Sequence, residues 1–208
     1  MSGTTWVKVC GLSTPETVDA AVDAGADAVG FVFAPGSPRT VEPSIVRRLI
    51  ARVPAGVETV GVFRGQGADH VVAVAREAEV ATVQLHGRED PSVFASVRAA
   101  GFGLIRALSA SDYLSESKDA RGRFGEVRHL LDAPDPGLGV MFESSGLLAS
   151  PPARGWVLAG GLTPTNVALL LETLAPSGVD VSSGVERSRG VKDSGLIRDF
   201  VAAARAAG

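Results

Sequence analysis

Cysteine is almost missing from this chain. One occurs, Cys10, in 208 residues. A single thiol cannot close an internal disulfide, so the fold has to be held by its core, and a reducing compartment suits it. Histidine is nearly as scarce, at positions 70, 86 and 129, and one cysteine with three scattered histidines gives no metal-ligand spacing. Aromatic residues make up 5% of the chain and the net charge is −3 with no basic block, which argues against nucleic acid as a partner. No apolar run of about 18 residues is free of charges or turn signals, and no basic segment leads into an apolar one near the start. The expectation is a soluble, cytoplasmic chain with no membrane partner and no secretory signal. Lysine occurs only at 8, 118 and 192, so each one is informative.

What is present is a large apolar fraction, 45%, enough for one sizeable core. No break in composition marks a boundary, so residues 1–208 read as one domain. Short β-branched runs fall at 6–10, 28–33, 58–63, 82–85, 103–108, 129–132, 156–159 and 178–181. Helical patterns lie between most of them. Ser13-Thr14-Pro15-Glu16 carries a capping signal with proline in the first turn, and that helix ends at Gly25. Ile45, Val46, Leu49 and Ile50 form an apolar stripe, as do Val71, Val72, Ala75 and Ala78, then Val93, Val97 and Ala100, then Val167, Leu170, Leu171 and Leu174. A last helix spans roughly 194–206. The segment 109–128 is mixed, with only a weak helical pattern, and 133–155, rich in Pro, Gly and Ser, reads mainly as loop.

Eight alternating β and α units imply a parallel sheet, and eight suggest closure into an α/β fold of the (β/α)8 TIM-barrel type. The rival is an open doubly wound sheet. Against it, Gly65-Gln66-Gly67-Ala68-Asp69-His70 lacks the third glycine of a dinucleotide fingerprint, and no Walker pattern occurs.

Within a barrel strand, alternate residues face the helices and the lumen. Val7 and Val9 suit the helix layer, so Lys8 and Cys10 point inward. By the same alternation Gln84 and His86 face in opposite Val83 and Leu85, Asp132 faces in, and Asp180 and Ser182 face in opposite Val179 and Val181. In the fifth strand Ile105 and Ala107 are assigned outward and Arg106 inward. Buried unpaired charges cost several kcal/mol, so Lys8, Arg106, Asp132 and Asp180 are expected to compensate one another or a ligand. Each residue also has a plainer role. A lone buried cysteine is ordinarily a small hydrophobe. Here it ends a strand two residues from a lysine, which would lower its pKa. Asp132, before Ala133-Pro134-Asp135-Pro136, could cap a turn. His86 before Gly87 reads best as a loop histidine, and Arg106 equally as a structural partner of a carboxylate.

The last two strands end in Gly160-Gly161-Leu162-Thr163 and Ser182-Ser183-Gly184-Val185-Glu186. Glycine lets the backbone approach a ligand, and barrels often hold phosphate with the loops after strands seven and eight. Gly160, Gly161, Ser182, Ser183 and Gly184 are the candidate phosphate-binding residues; two ordinary tight turns are the alternative.

Taken in order, these motifs resemble the phosphoribosylanthranilate isomerase family of tryptophan biosynthesis. The resemblance is carried by Lys8-Val9-Cys10-Gly11, by Gly30-Phe31-Val32-Phe33 with Ser37-Pro38-Arg39, and by Val60-Gly61-Val62-Phe63. It continues through Val83-Gln84-Leu85-His86-Gly87, Leu131-Asp132, Leu158-Ala159-Gly160-Gly161-Leu162, Asp180 to Glu186, and Gly190-Val191-Lys192-Asp193, along nearly the whole chain. It implies a TIM barrel that carries out an Amadori rearrangement of N-(5-phosphoribosyl)anthranilate, an aminoaldose, to the aminoketose, with no cofactor and no metal. By the same resemblance Asp132 is the general acid at the furanose ring oxygen and Cys10 the general base at C2. Arg39 holds the anthranilate end, Lys8 and Asp180 belong to the substrate-binding set, and the two final turns hold the phosphate. Acid–base work of this kind asks for a raised Asp132 pKa and a lowered Cys10 pKa, the second with help from Lys8. The expected partner is a phosphorylated small molecule, and the chain is a monomer or homodimer.

One stretch departs from the family. After the sixth strand it usually shows Gly-Gly-Thr-Gly followed by Phe, an acidic residue and Trp; here the chain reads Pro136-Gly137-Leu138-Gly139-Val140-Met141-Phe142-Glu143-Ser144. Three other readings compete: the histidine-pathway aminoaldose isomerase, which has an aspartate where Cys10 stands; a diverged isomerase for a modified anthranilate or similar amine; and a non-catalytic barrel.

Overall fold

The computed structural model describes residues 5–132, 147, 149 and 155–207. Eight parallel strands close into a barrel in sequence order: β1 (Trp6–Cys10), β2 (Ala28–Val32), β3 (Glu58–Phe63), β4 (Thr82–Leu85), β5 (Gly103–Ser109), β6 (Arg128–Asp132), β7 (Val157–Ala159) and β8 (Gly178–Val181). β1 pairs with both β2 and β8, which removes every open edge. The expected (β/α)8 barrel is what forms, and the open sheet is ruled out.

The helices begin where local chemistry tells them to. α1 (Pro15–Asp23) is capped by Thr14, whose hydroxyl accepts from the Thr17 N–H, with Pro15 pre-set for the first turn. α2 (Pro43–Ile50) and α4 (Pro91–Ala99) also start on proline, the latter capped by Asp90. α3 (Ala68–Ala78) lies between them. α7 (Val167–Leu174) and α8 (Ser194–Ala206) close the ring, and the Asp193 carboxylate accepts from the N–H groups of Gly195 and Leu196 to start α8. Such caps are worth about 1 kcal/mol each. Between β5 and β6 the mixed segment forms two short helices, α5 (Ala110–Ser115) and α6 (Lys118–Gly122), each with a serine cap. Of the loop expected over 133–155, only Leu147, Ala149 and Gly155 are described; the first two are helical and Leu147 is buried in the core. The divergent stretch 136–144 lies outside the described residues.

Two apolar layers follow from strand alternation. Val7, Val9, Phe31, Phe63, Val83, Leu85, Leu131, Leu158, Val179 and Val181 pack against the helices. Inside the barrel, Ala28, Val60, Ile105, Ala107, Leu130, Val157 and Ala159 fill the lumen above Trp6. This corrects the expected direction of β5. Ile105 and Ala107 face the lumen, and Arg106 faces the helix layer. There its guanidinium stacks 3.5 Å over the Phe124 ring and makes paired bonds of 2.8 and 2.5 Å to Glu116. The strand is apolar on both faces, so alternation alone gives no direction, and the partners that accept a buried arginine come from α5–β6. Among the described residues, no helix is long and apolar enough to cross a membrane.

Candidate active site

The C-terminal mouth of the barrel opens into a cavity of about 320 Å³. Cys10, at the end of β1, and Asp132, at the end of β6, both line it, three strands apart round the barrel. Between them stand Gln84 and His86 from β4 and its loop, Asp180 and Ser182 from β8, and Gly160 and Gly161 from β7. Arg39 enters from the loop after β2. Of the sequence-derived candidates, Cys10, Asp132, Arg39, Asp180, Gly160, Gly161, Ser182 and Ser183 line the cavity. Lys8 and Gly184 are not among the lining residues.

Lys8 is wholly buried. Its ammonium donates to both oxygens of Asp180 at 2.9 Å, satisfying the expectation that these two charges compensate each other. Burial pulls the Lys8 pKa down, but Asp180 and Cys10 pull it up more, so the ammonium persists. Burial pushes the Asp180 carboxyl up against the pull of Lys8. The bidentate contact to an ammonium is that of an ion pair.

For Cys10 the expected lowering is not found. Desolvation pushes the thiol above its ordinary 9.0. Lys8 pulls it down, Asp180 pushes it back up, and Lys192 pulls it down again, with the net upward. The physical reason is that burial of the thiol outweighs the Lys8 charge, which Asp180 partly offsets. The resting group is a thiol. The sulfur is placed by a gap: a Cβ on Gly30, across from it in β2, would sit 2.9 Å from Sγ and 3.1 Å from Lys8 Cε. Only glycine leaves room for both side chains to lie over that strand.

Among the described residues Asp132 meets one partner, His86, with Nε2 at 3.3 Å from Oδ2, and both side chains are about two-fifths exposed. His86, on the loop just after β4, thus also lines the cavity. Gln84 is buried, lines the same cavity, and its Oε1 has no partner among the described residues. A buried amide oxygen left without a partner is an uncompensated cost at this end of the barrel. Arg64 also lines the cavity and went unnoticed in the sequence, where nothing distinguishes it from a surface arginine.

The two glycine-rich turns come together. A Cβ on Gly184 would fall 1.7 Å from the Leu162 carbonyl oxygen, so the turns after β7 and β8 touch backbone to backbone. Gly160 and Gly161 have φ of 86° and 54°, in the region that favours glycine. Behind Arg39 and Ser182 lies a group that the sequence did not single out for the site. Glu186 and Lys192 lie on a hairpin of β9 (Glu186–Ser188) and β10 (Val191–Lys192) that follows β8. Among the described residues, no three His, Cys, Asp or Glu side chains gather as a metal-binding group.

A closed barrel with a thiol, a carboxylate and paired glycine turns at its C-terminal mouth is a (β/α)8-barrel enzyme with its chemistry at that end. Comparison with known proteins makes the assignment narrower. Residues 7–203 match the family model described as N-(5'-phosphoribosyl)anthranilate (PRA) isomerase. The N-(5'-phosphoribosyl)anthranilate isomerase of Paracoccus denitrificans (strain Pd 1222) is 41% identical, over 96% of this chain and 97% of that protein. The crystal structure of TrpF from Jonesia denitrificans superposes with a TM-score of 0.88 at 41% identity, covering 98% of each chain. A phosphoribosyl anthranilate isomerase solved in complex with reduced 1-(o-carboxyphenylamino)-1-deoxyribulose 5-phosphate superposes at 0.79 with 33% identity, over 97% of this chain and 99% of that one. The chain belongs to the N-(5'-phosphoribosyl)anthranilate isomerase family, and its activity is that isomerisation in tryptophan biosynthesis.

Proposed function

We propose that this cavity carries out the Amadori rearrangement with Asp132 as general acid and Cys10 as general base. Asp132 gives its proton to the furanose ring oxygen, the ring opens, and the nitrogen becomes an iminium. Cys10, as thiolate, removes the C2 proton. The resulting enolamine takes a proton at C1 and gives up the proton of its C2 hydroxyl, which makes the ketone. The observation that carries this reading is the placement of a thiol and a carboxylate on separated strands of one small cavity. An acid and a base so placed can work on different atoms of one sugar. The resting thiol must first lose its proton. The iminium formed by ring opening brings a positive charge to the site, which favours the thiolate in addition to Lys8.

Arg39 takes the anthranilate carboxylate, and the turns carrying Gly160, Gly161, Ser182, Ser183 and Gly184 take the phosphate. The bound ligand of the solved relative is itself a phosphorylated carboxyphenylamino sugar, which supports a site that takes both groups. Asp180 fixes Lys8 and faces the substrate. The proposed compartment is the cytoplasm.

The test is to generate phosphoribosylanthranilate in situ and follow the loss of its fluorescence. Wild-type protein should turn it over. Cys10→Ser and Asp132→Asn should each lose at least about 100-fold in kcat while remaining folded. A folded Asp132→Asn variant that keeps wild-type turnover would remove Asp132 from the acid role.

A further inference from the structure

We propose that Glu186 and Lys192 are positioning residues that tie the two ends of the substrate site into one unit, Glu186 fixing Arg39 and Lys192 fixing Ser182. The proposal rests on reading Arg39 as the group that takes the substrate carboxylate.

Arg39 has a long side chain on a loop, and an unrestrained arginine has many rotamers to lose on binding. Here that freedom is already gone. Nε and one terminal nitrogen donate to the two oxygens of Glu186 at 2.6 and 2.9 Å. A guanidinium has five N–H donors in a fixed fork. Two are used on Glu186, and the rest are held in one direction at the cavity wall.

Glu186 cannot serve the substrate itself. Its carboxylate accepts from Arg39 twice, from the Gly190 N–H at 3.0 Å and from Lys192 Nζ at 3.0 Å, and its side chain is 5% exposed. A carboxylate has about four lone-pair sites, so it is saturated. Burial pushes its pKa up, but the hydrogen bonds from Arg39, Gly190 and Lys192 outweigh that and hold it at about 2. It stays an anion at every working pH.

Lys192 is equally committed. It is 1% exposed and donates to the Ser182 carbonyl at 2.7 Å, to Ser182 Oγ at 3.2 Å and to Glu186. Three donors meet three acceptors. Because Ser182 Oγ accepts from the lysine, its own hydroxyl proton is left to be donated elsewhere, and Ser182 lines the cavity. The lysine thus sets the polarity of a hydroxyl in the phosphate turn.

Two glycines show that the assembly is built rather than incidental. A Cβ on Gly11, next to Cys10, would lie 2.7 Å from Arg39 Cδ, 3.3 Å from Ser182 Oγ and 3.4 Å from Lys192 Cε, so all three side chains converge on bare backbone. Gly190, with φ of 82°, lets the hairpin rest on the loop of Arg39, where a Cβ would meet the Pro38 carbonyl at 3.0 Å.

The test compares two substrates made in situ, N-(5-phosphoribosyl)anthranilate and the phosphoribosyl derivative of aniline, which lacks the carboxylate. The readout is the ratio of their kcat/KM values, in which the concentration of folded enzyme cancels, so partial unfolding of a variant does not obscure the result. Arg39→Ala should erase the preference for the carboxylated substrate. Glu186→Gln should lower that preference at least tenfold, mainly through KM, with Glu186→Asp intermediate. Glu186→Gln should add little on top of Arg39→Ala. Lys192→Met should raise KM for both substrates, a quantity independent of the concentration of folded enzyme, because both carry phosphate. If Arg39→Ala erases the preference and Glu186→Gln keeps it, or if their effects multiply, the proposal fails while the reading of Arg39 stands. If Lys192→Met changes neither substrate, its half fails. If Arg39→Ala leaves the preference intact, the reading of Arg39 and the proposal fall together.

Discussion

The two mouths of the barrel use the same kinds of side chain to opposite ends. At the N-terminal mouth Glu58 accepts from Thr82 at 2.6 Å and from Arg128 at 2.9 Å, and the Arg128 guanidinium lies 4.4 Å over the Trp6 ring. Beside it Asp27 accepts from the Val7 N–H at 2.7 Å and from Arg205, which also donates to the carbonyls of Thr5 and Gly25. These groups satisfy one another. At the C-terminal mouth the polar groups deeper in the wall are satisfied, Lys8 by Asp180 and Glu186 by Arg39 and Lys192. Others at that mouth are less completely paired among the described residues: buried Gln84 Oε1 has no partner, Cys10 sits under a desolvation penalty, and Asp132 meets half-exposed His86. Incomplete pairing there is a cost in stability that a ligand can offset, and complete pairing at the other end is a staple.

The comparison can be broken most sharply at Gly30. Gly30→Ala adds a methyl group 2.9 Å from Sγ, 3.1 Å from Lys8 Cε and 3.2 Å from Cys10 Cα, so the thiol must shift. Misplacement of a reacting group by about 1 Å costs on the order of 100-fold, and that loss in kcat with a preserved far-ultraviolet spectrum is the expected outcome. A smaller effect is the alkaline limb of the rate profile. Since Cys10 lies above 9.0 in the free enzyme, log kcat/KM should rise by about one unit per pH unit below its pKa. Cys10→Ser should lose that limb; its survival in the variant would assign it to another group, such as Lys192, which burial pulls below the usual lysine value.

The smallest effect lies away from both mouths. His129 is half-buried, its Nε2 atom is buried with no partner among the described residues, and desolvation, then the Arg106 charge, pull its pKa from 6.5 to about 4. The unfolded chain takes up this proton below pH 6.5 while the folded protein refuses it until about pH 4. Stability should therefore fall as pH drops through that window, by about 3 kcal/mol at most. His129→Phe should flatten this part of the curve in urea melts. Glu186 acts in a lower window. Its depressed pKa contributes stability above 4.5 that is lost as pH falls toward 2.

Much of this was legible from residue order. Strands with one polar and one apolar face gave their direction correctly: Val7 and Val9 against Lys8 and Cys10, Val179 and Val181 against Asp180 and Ser182. β5 defeated the same reasoning because Leu104, Ile105, Ala107 and Leu108 make both of its faces apolar. The helix α1 was readable from Thr14 and Pro15 because capping is local. Phe94, buried on α4, was passed over in favour of the smaller Val93 and Ala100. The hardest features to read were pairings between distant residues. Arg39 and Glu186 are 147 positions apart, and only closure of the barrel brings them together. The expected lowering of the Cys10 pKa failed because burial of the thiol, which a strand pattern does not measure, outweighs the Lys8 charge two residues away.

The most direct test of the account applies one isosteric change, carboxylate to amide, at each mouth: Asp132→Asn and Glu58→Gln, with kcat/KM and Tm measured on both. The account predicts that Asp132→Asn loses at least about 100-fold in kcat/KM with Tm near that of the wild type. Glu58→Gln should lower Tm by several degrees, as expected for losing about 1–3 kcal/mol, and keep kcat/KM within about twofold. An active Asp132→Asn, or a Glu58→Gln that loses turnover as Asp132→Asn does, would contradict the division of labour between the two ends.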